Sequence, residues 1–154
     1  MQKNENESAP LVYVGSSWKN AASLDAVHVA LQAQGLNTYD FRELGFWWAD
    51  VSPVYQGEDP YDFLRAPESC AAFEYDRRGL DACVAGLFVL PAGISTALEC
   101  GYMAGRGCPT FVYGVPRDRM DIMWKLTTCQ FSPKSFDLQT VAIHVASVVR
   151  LRHG

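Results

Sequence analysis

Glu99 is the residue that its surroundings least explain. It lies in Leu80 to Pro109, LDACVAGLFVLPAGISTALECGYMAGRGCP, which reads as strand, tight loop and helix. A carboxylate held in an apolar setting can act as nucleophile, general base or general acid. A first-turn glutamate can equally be solvated and simply favoured by the helix dipole. The neighbours favour the first reading. Ala97, Gly101 and Gly105 recur every fourth residue, and this small-residue stripe predicts close approach of the helix to another element. Glu99, Tyr102 and Met103 share a different face by i, i+3, i+4 spacing. A helix crowded on two faces leaves Glu99 little solvent.

The elements around Glu99 have local signals. Cys83 to Leu90 is an apolar run bounded by Pro91, as expected of a strand buried on both faces in a parallel sheet. Pro91-Ala92-Gly93 stops that strand. Ser95 is the expected N-cap of a helix from Thr96 to Gly105, which Gly107 and Pro109 close. Glu99 then sits at the carboxyl end of a buried strand, where open α/β sheets bind ligands.

Leu11 to Gly15 (LVYVG) predicts a first strand, Ser16 to Asn20 a loop, and Ala21 to Gln34 a helix stopped by Gly35. The loop amides and the helix start suit a phosphate or hydroxyl, although no GxGxxG or Walker pattern is present. Leu36 to Phe41 is a second strand. Arg42 to Pro67 is rich in aromatics, glycine, proline and acid, and a stretch that long suits a lid or binding loop. Glu68 to Gly79 reads as a helix. Its Asp76 precedes Glu99 by 23 positions and can be either solvated or paired with it across a strand edge. Asp81 is a second candidate, with capping or solvation as its expected role. Thr110 to Val115 predicts a fourth strand, Phe136 and Leu138 a short edge strand, and Thr140 to Leu151 a helix with Val141, Val145, Val148 and Val149 inside.

These residues carry a family resemblance. LECGYMAGRGCP resembles the pattern of the nucleoside 2-deoxyribosyltransferases, a glutamate followed by a small-residue helix, Gly-Tyr-x-x-x-x-Gly. YVGSSW resembles that family's first strand and glycine-aromatic loop, and the likeness spans roughly residues 11 to 124. The resemblance implies that Glu99 attacks the anomeric carbon, that Tyr13 orients it, and that Asp76 serves the departing base or the sugar. It implies that Trp18 stacks on the nucleobase; read alone, Trp18 is equally a packing aromatic. Substrate contacts are expected from Gly15, Ser16, Ser17, Trp18, Gly93 and Ser95. The stretch after the second strand is expected to read the base, with Asp40, Arg42, Phe46, Trp47 and Trp48 as candidates; the alternative is a surface loop anchored by its aromatics. Asp121-Ile122-Met123 matches an Asn-Leu-Met segment that enters a neighbouring subunit's site in the family. Asp121 and Met123 are therefore expected to complete a neighbour's pocket in a homodimer or higher oligomer; the alternative is an ordinary polar turn. Aspartate in place of asparagine cannot donate as the amide does. That departure bears on the sugar-hydroxyl contact and on the choice between a free and a phosphorylated sugar.

Composition bounds the remaining possibilities. At 154 residues, 49% hydrophobic and 19% charged, the chain can bury a sizeable core and is not a disordered one. A net charge of -4 argues against binding a nucleic-acid polymer. No run approaches the ~20 apolar residues of a membrane span. Residues 1 to 10 lack an apolar h-region and read as a disordered tail ahead of one domain, 11 to 154. Cys70, Cys83, Cys100, Cys108 and Cys129 form no CxxC pair and read as reduced thiols, hence a cytoplasmic setting. His28, His144 and His153 show no metal-ligand spacing.

The expected fold is a doubly wound, mostly parallel α/β sheet of four or five strands, flavodoxin- or Rossmann-like, with helices on both faces. The expected function is cleavage or transfer at the N-glycosidic bond of a nucleoside or nucleotide, through a glycosyl-enzyme on Glu99. The sugar passes to an acceptor nucleobase, and no metal or organic cofactor is needed. One alternative is a hydrolase acting on a nucleoside monophosphate or NAD. Another is a nucleotide-binding module without turnover.

Overall fold

The computed structural model describes residues 9–44 and 59–153. The elements run β1 (Leu11–Gly15), α1 (Ala21–Gln32), β2 (Asn37–Asp40), α2 (Phe41–Leu44), α3 (Pro60–Arg65), α4 (Pro67–Ala82), β3 (Ala85–Leu90), α5 (Ile94–Gly105), β4 (Thr110–Gly114), β5 (Cys129–Phe131) and α6 (Leu138–His153). Two 3-10 turns, Trp18–Asn20 and Ile122–Leu126, lie after β1 and before β5. Every strand pair is parallel, in the order β2-β1-β3-β4-β5. The chain steps from β1 to β2, then returns across β1 to β3. That reversal makes the gap between the carboxyl ends of β1 and β3 the topological switch point, where such sheets open a crevice.

The apolar pattern explains the layers. All six residues of β3 are buried, because helices cover both faces of a central parallel strand. Val12 and Val14 of β1 share the core with Leu24, Val27 and Leu31 of α1 and Val141, Val145 and Val149 of α6, and α1 packs on α6. The alternate residue, Tyr13, faces the layer formed by α4 and α5. α5 seats itself through Thr96, Cys100 and Met103, spaced i, i+4, i+7. Gly35 (φ +73°) and Gly107 (φ +78°) follow α1 and α5 in the left-handed conformation that ends helices.

Several expectations need correction. α5 begins at Ile94, with Gly93 as N-cap and no side-chain capping bond, so Ser95 lies inside the first turn. Ala97, Gly101 and Gly105 are exposed, and a Cβ built at Gly101 or Gly105 meets nothing within 4 Å. The small-residue stripe therefore faces away from the sheet. The edge strand is Cys129–Phe131 rather than Phe136 and Leu138, because Thr128 starts the pairing by donating its N–H to the Thr110 carbonyl at 2.7 Å. Phe136 instead packs edge-on against Phe131, and Leu138 opens α6. α4 continues through Gly79 to Ala82. Ala9 and Pro10, assigned to the tail, are tied to β2: their carbonyls accept from Asn37 at 3.0 and 2.9 Å. Among the described residues, no helix is long and apolar enough to cross a membrane.

Candidate active site

A cleft of about 380 Å3 opens at the switch point, lined by Ser16, Ser17, Trp18, Lys19, Phe41, Asp76, Gly93, Ile94, Ser95, Thr96 and Glu99. Three connections build it. The loop after β1 supplies Ser16 to Lys19, the loop after β3 and the first turns of α5 supply Gly93 to Glu99, and α4 supplies Asp76. Ser16 stitches the first two together. Its hydroxyl donates to the Val89 carbonyl at 2.7 Å and accepts from Asn20 Nδ2 at 2.9 Å. Asn20 Nδ2 also donates to the Pro91 carbonyl at 2.7 Å, and Thr96 Oγ1 donates to the Ser16 carbonyl at 3.2 Å. These bonds fix the switch-point loops against each other before any ligand arrives.

Glu99 is half-buried, and burial pushes its carboxyl up to about 7. The charge of Asp76 adds to the rise, and the Tyr13 hydroxyl opposes it. Burial also raises the Asp76 carboxyl. Tyr13 is fully buried. Its hydroxyl lacks a partner at full hydrogen-bond geometry, yet Glu99 is the acceptor it faces, close enough to act on the carboxylate's titration. Burial first, then the Glu99 and Asp76 charges, hold the Tyr13 phenol well above its ordinary range. Trp18 and Phe41 form an aromatic wall, with centroids 5.0 Å apart and planes at 88°.

The structure thus gathers Glu99, Asp76, Ser16, Ser17, Trp18, Gly93 and Ser95 around one cleft, with Tyr13 behind Glu99. Other candidates fall elsewhere. Gly15 lies beneath the site, where an added Cβ would sit 2.7 Å from the Phe88 ring; its smallness serves packing. Asp40 is outside the cleft lining and is clamped by Arg42, which donates from Nε at 2.9 Å and from Nη2 at 2.6 Å. His28 Nε2 lies 3.2 Å from the same carboxylate. Burial alone would raise the Asp40 carboxyl, but the Arg42 bonds outweigh it and hold it below the usual range. A carboxylate so engaged is structural rather than available to a ligand. Asp121 caps the 3-10 turn by accepting from Met123 N at 2.8 Å, and Met123 is exposed; neither reaches this chain's own cleft. Asp81 is exposed and accepts from Tyr102 Oη at 2.6 Å. Phe46, Trp47 and Trp48 lie outside the described residues.

Asn20, Lys19, Phe41 and Thr96 enter the site without having been singled out. The signal for Asn20 and Lys19 was their place in the loop after the first strand. Phe41 and Thr96 carried no local mark. A more open concavity of about 450 Å3 lies at the opposite edge of the sheet, around Cys83, Arg106, Cys108, Arg152 and His153. Its arginines are spent on carbonyls: Arg106 on Leu80 and Asp81, Arg152 on Gly107. Cys129 and His144 meet at 3.5 Å across β5 and α6. Among the described residues, no group of three or more such side chains could hold a metal ion.

No protein-family model matches the chain, and no curated protein matches it. Solved structures do. A 2-deoxyribosyltransferase from Bacillus psychrosaccharolyticus superposes with a TM-score of 0.61 at 14% identity, over 86% of this chain and 90% of that one. A Clostridium botulinum CMP N-glycosidase gives a TM-score of 0.52 at 10% identity, over 88% and 97%. At these identities the likeness establishes the fold.

Proposed function

We propose that this cleft cleaves or transfers the N-glycosidic bond of a nucleoside or nucleotide. One observation carries the reading: two carboxylates raised by burial, Glu99 and Asp76, share a switch-point cleft with the Trp18–Phe41 aromatic wall. The two solved structures of the same fold, a deoxyribosyltransferase and a CMP N-glycosidase, support it. The base stacks on the aromatic wall. It leaves with both electrons of the C1′–N bond while a Glu99 oxygen bonds to C1′, and Asp76, in the form of the pair in which it rather than Glu99 holds the proton, gives that proton to the departing nitrogen. An acceptor nucleobase or water then attacks C1′, the bond to Glu99 breaks, and Asp76 takes the proton back. Tyr13 orients the Glu99 carboxylate. Raised to about 7, Glu99 keeps an ionised population at neutral pH, and charge developing on the sugar favours the ionised form.

The test is a chromatographic screen of deoxynucleosides, nucleoside monophosphates and NAD, each with and without an acceptor base. Glu99→Gln should lower base release by several orders of magnitude, each tenfold being 1.36 kcal/mol of barrier. A fluorinated nucleoside should leave its sugar mass on the Glu99 peptide. Ligand-dependent melting shifts with no base release from any compound would instead indicate a binding module.

A second reading concerns the sugar. Lys19, Ser17 and Ser95 line the cleft beside the uncapped start of α5, a setting suited to a 5′-phosphate. It favours a nucleoside monophosphate substrate. Lys19→Ala should then raise KM for the monophosphate and leave KM for the free nucleoside unchanged. The exposed Ile94, Leu98, Ile122 and Met123 favour a homo-oligomer in which Asp121 and Met123 complete a neighbour's cleft. Light scattering that finds a fully active monomer would refute the assembly.

A further inference from the structure

Beneath the cleft, one row of register partners crosses the sheet: Tyr39 on β2, Tyr13 on β1, Gly86 on β3 and Thr110 on β4. The Tyr13 and Tyr39 rings stack, 5.6 Å between centroids and 17° between planes. Tyr39 in turn tilts against Tyr75, at 6.4 Å and 36°. Tyr13 faces Glu99 on α5, and Tyr75 immediately precedes Asp76 on α4. A column of three rings therefore joins the strand behind one carboxylate to the helix that carries the other.

Gly79 is explained by the same column. It is buried inside α4, one turn beyond Tyr75 and three residues beyond Asp76. Glycine is disfavoured against alanine in a helix interior. Here an added Cβ would overlap the Tyr39 ring, 2.6 Å from both Cε1 and Oη. The ring is held by its contacts with Tyr13 and Tyr75, so its retreat would disturb the whole column. The missing side chain thus sets how closely α4 lies on the sheet.

We propose that Tyr39, seated on Gly79, is a positioning residue that fixes the height of α4 and so the separation of Asp76 from Glu99. The inference rests on the reading of those two carboxylates as the reacting pair. Among the described residues, the groups facing Glu99 are Asp76 from α4, Tyr13 from β1 and Cys100 on its own helix. Of these, only Asp76 moves with α4. An alanine methyl at position 79 pushes α4 outward against the fixed ring and carries the Asp76 charge away from Glu99.

The test reads the Glu99 carboxyl by carbon-13 NMR titration of the free protein, in wild type, Gly79→Ala and Gly79→Ala/Tyr39→Leu. Leucine ends well short of the ring atoms that the new methyl meets. Gly79→Ala should lower the Glu99 midpoint, since a like charge has receded. The double variant should return it to the wild-type value. A folded Gly79→Ala with an unchanged midpoint overturns the proposal, even if its melting temperature falls, because a purely packing glycine behaves that way. If Gly79→Ala does not fold, Tyr39→Leu alone decides. Loss of the ring lets α4 settle toward the sheet and should raise the Glu99 midpoint, and an unchanged midpoint overturns the proposal. No substrate is involved in the titration. A wild type that releases no base from any nucleoside therefore sinks the proposed function and leaves this result to be judged separately.

Discussion

Glu99→Gln should stabilise the protein, and only in part of the pH range. The ordinary glutamate value is 4.5, and burial, with the Asp76 charge behind it, raises Glu99 to about 7 in the fold. A raised carboxyl binds its proton more tightly folded than unfolded. The associated stability is fully present below about 4.5 and is lost as pH rises to about 7; above that the loss is constant. The distance from 4.5 to about 7, at 1.36 kcal/mol per pH unit, corresponds to ~3 kcal/mol. Solvent at the mouth of the cleft reduces it toward ~2 kcal/mol. Glutamine keeps the shape, but it never ionises. Its advantage should be near zero at pH 4, grow between 4.5 and 7, and level off by pH 8. For a chain of this size, each kcal/mol moves Tm by roughly 2–4 °C, so the gain at pH 8 is roughly 4–12 °C. Differential scanning calorimetry of both proteins from pH 4 to 8 measures it. A Tm difference that is flat across this range, or a variant less stable at pH 8, would refute the assignment of Glu99 as a carboxylate ionised at a cost.

Three other outcomes are expected. Trp18→Ala should weaken substrate binding by ~1–3 kcal/mol in isothermal titration while the fold persists; unchanged affinity would return Trp18 to a packing role. Asn20→Ala removes the donor to Ser16 and Pro91 and should cost about 1–3 kcal/mol, seen as a lower denaturation midpoint; an unchanged midpoint would mean the loops are held otherwise. Asp76→Asn should lower the Glu99 midpoint in a carbon-13 NMR titration, because the like charge raising it is gone; a midpoint that stays in place would remove Asp76 from the site.

Local sequence was enough to put Glu99 on a helix that follows a buried strand, and Tyr13 on the first strand. Apolar run length, strand-ending glycine and proline, and helix-closing Gly107 encode those facts within a few residues. The boundary at Ser95 slipped because Gly93 supplies the extended N-cap without a side-chain signal. The edge strand was missed because Cys129–Phe131 is three residues long, too short for any period to register. The site itself depends on which strands become neighbours. Asp40 and Asp76 look alike in the sequence as carboxylates near strand or helix ends. Only the fold brings His28 and Arg42 onto Asp40 and leaves Asp76 in the cleft opposite Glu99. Gly79 reads as a helix stop until β2 pairs with β1 and Tyr39 needs its space. Periodicity and turn chemistry are properties of adjacent residues, so the sequence alone determined the elements. Partners across a parallel sheet are set by register and crossover, so only the tertiary structure decided which carboxylates face each other.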